Sequence, residues 1–259
     1  MKKQILLFAL VSVILFGSVL FVSANHSWGG YHWARTSNPF TLKLGDNVSS
    51  IWDSYLATTS SDWSASSVLD TTVVPGQGRS NCKPTAGRVE VCNKAYGSNG
   101  WLGVASIWIS GNHITQGTVK VNDSYFNTTT YNKSSWRRLV MCQEVGHTFG
   151  LDHQDEIFNN ANLGTCMDYT NDPDGTIYGQ RSNEHPNAHD YEELGIIYNH
   201  LDSITTIGQA VSNKINNSDA TDTENLGKEL RKDNKGKTSL YELDLGKGEK
   251  VLTFILWSE

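Results

Sequence analysis

Residues 143–153, QEVGHTFGLDH, dominate the interpretation of this chain. Gln143 and His147 are four positions apart, so an α-helix would place both side chains on one face, about one turn apart. Gly150 can adopt the left-handed conformation that ends a helix. The chain can then turn back and bring His153 toward the same point from another direction. This spacing predicts a helix followed by a turn, with three side chains able to hold one metal ion.

The helix is predicted to begin near residue 134, where Ser134 or Ser135 can cap its first turn. A competing interpretation needs no metal: it is a helix with two histidines near its end, each satisfied by ordinary hydrogen bonds. The inward stripe follows the 3.6-residue period and consists of Trp136, Val140, Gln143 and His147.

The motif is one residue short of the pattern H-E-x-x-H-x-x-G-x-x-H, because Gln143 stands at the first histidine. A second element, GTCMDY at 164–169, places Met167 beyond His153 and Tyr169 two residues later. The two elements together resemble the metzincin zinc metalloproteases, in particular the matrixin-like group. In that family a methionine turn packs beneath the metal site.

The resemblance implies a secreted, zinc-dependent metalloendopeptidase, a hydrolase that acts on protein or peptide substrates. Its single zinc ion would be bound by Gln143, His147 and His153. Glu144 would be the general base that takes a proton from water at the metal. Tyr169 would stabilise the oxyanion, and an extended substrate would pair with the edge of the sheet.

The implied fold is α+β and metzincin-like, with Gly150 and Met167 as structural residues at the site. It comprises a twisted, mainly parallel sheet, the active-site helix, a Met-turn and a final helix. A β-hairpin is predicted at the C-terminus, where SLYELDL and KVLTFILW flank a Gly-Lys-Gly turn. The first helix is expected at 47–56.

The domain organisation begins with a lysine-led apolar run that ends in small residues and predicts a secretory signal peptide. An uncleaved membrane anchor is the alternative; after cleavage no membrane association is expected. Too few residues separate Ala24 from Trp28 for an inhibitory propeptide, so the enzyme would be exported active or kept quiet by a weak site. The expected segments are a signal peptide at 1–24, a catalytic domain at 25–205, a polar linker at 206–237 and a hairpin at 238–259.

Gln143 allows three hypotheses, because an amide oxygen is a poorer zinc donor than an imidazole. It can ligate zinc in a weaker but working site. Alternatively, His185 or His189 supplies the third ligand. In the third hypothesis the site is degraded and the protein binds a partner without cutting it. Glu144 has no role as a ligand, so its retention beside the other motif residues favours catalysis.

The composition of the chain restricts which ligands it can bind and in which compartment it is expected. The net charge of −6 argues against nucleic acid as a ligand. Four cysteines in an exported chain predict two disulfides with three possible pairings. The favoured pairs are Cys82–Cys92, which closes a local loop, and Cys142–Cys166, whose members adjoin Gln143 and Met167.

Other interpretations remain open at the level of sequence. NDPDG at 171–175 could bind calcium, although the full loop pattern is absent and a simple turn is favoured. His113 and His200 receive no functional assignment. The rival functions are a catalytically weak or inactive binding protein on a metalloprotease scaffold and a structural cell-surface protein whose C-terminal hairpin is the functional part.

Overall fold

The computed structural model describes residues 26–78, 81–209 and 226–259. Within these ranges the chain forms nine strands and four helices. The strands are β1 (His32–Trp33), β2 (Phe40–Asn47), β3 (Leu69–Pro75), β4 (Val89–Lys94), β5 (Trp101–Ser110), β6 (His113–Asn122), β7 (Lys228–Lys232), β8 (Thr238–Gly246) and β9 (Glu249–Trp257). The helices are α1 (Asp53–Trp63), α2 (Asp123–Phe126), α3 (Ser134–His147) and α4 (Ala188–Ile197).

The described strands form a single mixed sheet in the order β3-β2-β4-β6-β5-β9-β8-β7, and β1 pairs with β6 beside this path. The strands β3, β2, β4 and β6 pair in parallel, whereas β5 is antiparallel to β6. Beyond β5 every pairing is antiparallel. The expected mainly parallel sheet is therefore correct only for its N-terminal half, because the C-terminal strands extend the same sheet.

The helix α3 lies against β5, β6 and β9 and also contacts α1. The main core lies between this layer and the sheet, and it includes side chains from the C-terminal strands such as Leu240 and Leu252. The first helix begins later than expected. Asp46 and Asn47 still belong to β2, where they pair with β4, so the helix starts only at Asp53.

The C-terminal strands replace part of the expected linker, since β7 occupies residues 228–232. The strands β8 and β9 form a hairpin whose two-residue loop is Lys247-Gly248, with φ of +57° and +80°. Both loop residues are left-handed, as the tightest hairpin turns require. This hairpin does not stand alone, because β9 pairs along nearly the whole of β5.

The predicted signal peptide, residues 1–24, lies outside the described residues, as does half of the predicted linker. In the part of the chain that the structure describes, no helix is long and apolar enough to cross a membrane.

Candidate active site

The site forms where α3 ends and the chain reverses. The helix ends at His147, and Gly150 then adopts a φ of +99°. A Cβ at that position would collide with the carbonyl oxygen of Tyr31. Position 150 therefore needs glycine both for its backbone conformation and for this close approach. The tight reversal brings His153 back against His147, with ring centroids 4.4 Å apart.

His147 and His153 face each other through their Nε2 atoms, which are 2.8 Å apart. Each ring is oriented by an acceptor at its other nitrogen: Nδ1 of His147 donates to the carbonyl oxygen of Leu151 at 2.9 Å, and Nδ1 of His153 donates to Glu156 Oε1 at 2.7 Å. A neutral imidazole with its proton on Nδ1 has a bare lone pair on Nε2. Two lone pairs therefore point at one location, as in a metal site whose ligands are oriented by outer hydrogen bonds.

The amide of Gln143 is positioned to leave its oxygen available. Its Nε2 donates to the carbonyl oxygen of Cys166 at 2.8 Å. Its Oε1 is buried and has no hydrogen-bond partner among the described residues. A buried acceptor without a partner is costly, so a cation at this position would remove a penalty. Two imidazole nitrogens and one amide oxygen fit zinc, which accepts mixed nitrogen and oxygen ligands and keeps an open position in catalytic sites.

Glu144 is fully buried, and neither of its carboxylate oxygens has a hydrogen-bond partner in the described part of the chain. Burial raises the pKa of this carboxyl group well above its ordinary value. The side chain lies against β5, because a Cβ at Gly103 would collide with Glu144 Oε1. Sequence reasoning missed Gly103, whose only signal was a glycine within an apolar strand.

Met167 and Tyr169 both pack at the site, one against α3 and the other against His153. A Cβ at Gly146 would come within 2.7 Å of Met167 Sδ, so the methionine packs directly under the last turn of α3. The ring of Tyr169 lies edge-on to His153, with centroids 4.5 Å apart. Its hydroxyl is buried without a described partner, and burial, followed by the charge of Glu156, raises its pKa well above the ordinary value.

The structure contains both favoured disulfides, Cys82–Cys92 and Cys142–Cys166. The second joins α3 to the turn that carries Met167. It therefore fixes the carbonyl group that receives the Gln143 amide. Burial, followed by the neighbouring His153, lowers the pKa of His147 well below its ordinary value, which keeps this ring neutral.

The C-terminal strands cover the site. Phe254 of β9 stacks on the ring of His147, with centroids 3.8 Å apart and planes 6° from parallel. Arg231 of β7 donates two hydrogen bonds to Asp152, at 2.7 and 2.6 Å, and lies 3.0 Å from Glu156. Glu144 and His147 expose at most 1% of their surface. No pattern in the sequence predicted these contacts.

Asp152, His153 and Glu156 also lie close enough to suggest a cation site. Arg231 already neutralises both carboxylates. Although burial opposes it, the hydrogen bond from Arg231 lowers the pKa of Asp152. A second cation would have to displace this guanidinium group, so the three residues act as an anchor for β7 instead.

The other candidate ligands lie elsewhere. His185 pairs with Asp62 at 2.6 Å, and His189 contacts His26 at 3.1 Å. Neither contact points either ring at the facing Nε2 atoms, so the hypothesis that one of them completes the metal site receives no support.

In the segment proposed for calcium, Asp172 and Asp174 accept backbone N–H groups of the following turn. These carboxylates therefore stabilise the turn, and no calcium role is needed to explain them.

Comparisons with known proteins add little. No protein-family model matches the chain, and no curated protein matches it. Among solved structures, the chain is similar to high choriolytic enzyme 1, a hatching enzyme zinc-protease from Oryzias latipes (medaka fish), with 12% identity and a TM-score of 0.38. The match covers 66% of this chain and 96% of that one. A likeness at this level transfers neither the fold nor the activity of that enzyme to this chain.

Proposed function

We propose that this chain is a secreted zinc-dependent metalloendopeptidase whose cleft is closed by its own C-terminal strands. The observation that carries the proposal is the pair of facing Nε2 atoms of His147 and His153, each ring oriented through Nδ1. Near this pair in the motif is Glu144, a buried carboxylate whose oxygens have no hydrogen-bond partner among the described residues. Two disulfides suit an exported protein.

His147, His153 and Gln143 Oε1 would hold the zinc ion, which supplies a Lewis acid for the scissile carbonyl group. Glu144 takes a proton from the attacking water and passes it to the leaving amine. The Tyr169 hydroxyl donates a hydrogen bond to the developing oxyanion and keeps its proton. Gly103 leaves room for the Glu144 carboxylate between α3 and the sheet.

The edge of β5 is the binding surface for an extended peptide, because an edge strand offers unpaired backbone groups. In the structure β9 occupies this edge in antiparallel register, with Phe254 opposite Ala105. Substrate and β9 would therefore compete for the same backbone groups. The protein is latent in this state, and its activity requires the C-terminal strands to move off the cleft.

A second candidate function is a binding protein that has lost catalysis. The observation in its favour is Gln143, which replaces an imidazole by a neutral amide oxygen and donates its N–H to Cys166. In this alternative the C-terminal strands are a permanent part of the core.

The decisive experiment measures bound zinc and cleavage of a fluorogenic peptide library by the full secreted chain, in the native protein and in four variants. Arg231→Ala removes the anchor of β7, and Lys232→Ala is the matched control, because the ion pair of Lys232 is with Glu229 in the same strand. Gln143→His restores the third imidazole. The fourth variant, Arg231→Ala/Glu144→Ala, lacks the general base.

Arg231→Ala is expected to raise cleavage about 10- to 100-fold over the native protein, since a charge-assisted pair of this kind contributes roughly 1.5–3 kcal/mol and about 1.4 kcal/mol is a factor of ten. Lys232→Ala should leave cleavage unchanged, and the Glu144→Ala double variant should abolish it. If Arg231→Ala binds zinc but cleaves nothing, while Gln143→His cleaves, the binding-protein alternative is correct. If neither variant cleaves, the peptidase proposal is wrong.

A disulfide that holds β9 on β5 is a second test of whether the C-terminal strands block the cleft. Ser106 and Thr253 face each other across β5 and β9, with hydroxyl oxygens 3.0 Å apart. A disulfide in Ser106→Cys/Thr253→Cys would hold β9 on the edge, and the Arg231→Ala gain should then disappear. The two single cysteine variants are the controls. Full activity in the cross-linked protein would show that β9 does not block the cleft.

A further inference from the structure

Four side chains from three distant parts of the chain meet beside the N-terminal end of β6. His32 belongs to β1, His113 opens β6, and His200 and Asp202 follow α4. The three imidazoles converge through Nε2 on Asp202 Oδ1, at 3.1 Å from His113, 3.5 Å from His32 and 3.7 Å from His200. The Nε2 atoms of His32 and His200 are 3.2 Å apart.

The hydrogen bonds of His32 and His200 leave the Nε2 atoms of both rings unprotonated. Nδ1 of His32 lies 2.7 Å from the carbonyl oxygen of Gly30, which can only accept, so this nitrogen donates. Nδ1 of His200 likewise lies 3.2 Å from Asn199 Oδ1. In the neutral rings both Nε2 atoms then carry bare lone pairs, and two lone pairs at 3.2 Å repel unless a cation lies between them.

The carboxylate of Asp202 is oriented to leave one oxygen for this point. Its Oδ2 accepts from the backbone N–H of Arg35 and from Arg35 Nη1, at 3.2 and 3.0 Å. Its Oδ1 faces the histidines. His32, His200 and Asp202 are thus each oriented by a second hydrogen bond, as is typical of metal ligands.

The distances suit a small ion. Zinc–nitrogen bonds of about 2.0–2.1 Å place neighbouring ligand atoms about 3.4 Å apart in a tetrahedron. The separations of Asp202 Oδ1 from the three Nε2 atoms, and of the Nε2 atoms of His32 and His200 from each other, run from 3.1 to 3.7 Å, and the ligand atoms of His32, His113 and Asp202 all lie within 4.8 Å of one another. We propose that His32, His113, His200 and Asp202 form a second metal site that binds a divalent transition-metal ion, preferentially zinc. Four protein ligands leave no open position, so the site is structural.

The role of this ion is to clamp the N-terminal strand, the β5–β6 turn and the segment after α4. His32 and His200 are separated by 168 positions in the chain. Among the described residues His32 is buried, whereas His200 is half exposed on its side chain. The ion therefore has a short path from solvent, and it would join segments that the two disulfides do not reach.

The test is a zinc titration of the chelator-treated full chain, with stoichiometry read by elemental analysis and geometry by cobalt substitution and its visible absorption bands. His147→Ala empties the motif site and should keep one equivalent of tetrahedral ion. His147→Ala/His113→Ala should bind none. His147→Ala/His185→Ala is the matched control, because His185 pairs with Asp62 outside both sites, and it should keep one equivalent.

Asp202→Asn serves as a second variant if removal of His113 prevents folding, because it keeps the shape of the side chain. Zinc should raise the melting temperature of His147→Ala through binding to the folded state, and it should fail to do so in His147→Ala/Asp202→Asn. The proposal is wrong if His147→Ala binds no zinc or if removing His113 leaves its zinc unchanged. A native chain that binds one equivalent and loses it with His113 would support this site while contradicting zinc at the motif.

Discussion

The two histidine groups of this molecule differ in how they are assembled. His147 and His153 lie six residues apart, on one helix and the turn that follows it. His32, His113 and His200 come from three separate regions and meet only in the folded chain. In both groups a hydrogen bond at Nδ1 orients at least two rings so that their Nε2 atoms face each other. The chemistry is the same, but only the first group leaves a pattern that can be recognised in the sequence.

The two groups also differ in what holds them in place. The motif site is braced by the Cys142–Cys166 disulfide and covered by Phe254. The second group has no covalent brace, and the ion pair between Arg35 and Asp202 is its main fixed support. A metal ion would therefore contribute more to holding the second group together, while the motif site can keep its shape for chemistry.

The largest expected effect is a loss of peptide cleavage that follows a change at the motif site but not a change at the second histidine group. In the Arg231→Ala background, Glu144→Gln should lower peptide cleavage at least 100-fold, because it removes the general base. Zinc content at both sites should stay the same. Asp202→Asn in the same background should lose one zinc and keep its rate of cleavage. Equal losses of activity in the two variants would contradict the division of roles.

The second prediction concerns the covalent brace. The Cys142→Ala/Cys166→Ala variant should lose about 2–4 kcal/mol in free energy of unfolding, as measured by urea denaturation. Cys82→Ala/Cys92→Ala is the control, because the disulfide that it removes closes a loop of 10 positions, whereas Cys142–Cys166 closes one of 24. The chain-entropy relation makes this smaller loop worth about 0.8 kcal/mol less. A larger loss in the control would show that the brace at the site is not the dominant one.

The third prediction tests the packing of Met167 beneath the site. Gly146→Ala places a Cβ within 2.7 Å of Met167 Sδ and of Trp63 Cζ2. Such overpacking should destabilise the protein by about 1–3 kcal/mol. Gly195→Ala in α4 is the matched control, since a Cβ there meets nothing within 4 Å. It should stabilise the helix by roughly 0.5–1 kcal/mol; a similar gain at position 146 would mean that Met167 does not pack there.

The smallest expected effect is electrostatic. Burial raises the pKa of Asp168, between Met167 and Tyr169, to about 6. The folded state therefore binds this proton more tightly than the unfolded state, and ionisation costs stability as the pH rises from 4 to 7. Asp168→Asn should remove that cost. Its advantage over the native protein should shrink by on the order of 1 kcal/mol as the pH falls from 7 to 4, which urea denaturation at each pH would measure; a constant difference would contradict the shift.

Short-range patterns predicted much of the site and some of the fold. The helix α3, the turn at Gly150 and the C-terminal hairpin follow from spacing and turn chemistry over fewer than about twenty residues. The start of the first helix was wrong, because Asn47 pairs with Cys92 of β4 and stays in the strand. The apolar spacing that suggested a helix from residue 47 contains no information about this strand pairing.

The sequence by itself determined that Glu144, His147, Gly150 and His153 have the spacing of a metal site on a helix and turn. The tertiary structure decided that β9 pairs with β5 and covers this site, and that His32 meets His200 and Asp202. The physical reason is that helical spacing is set by bonds within one turn, whereas strand partners and assembled ligands depend on side-chain burial across the whole molecule.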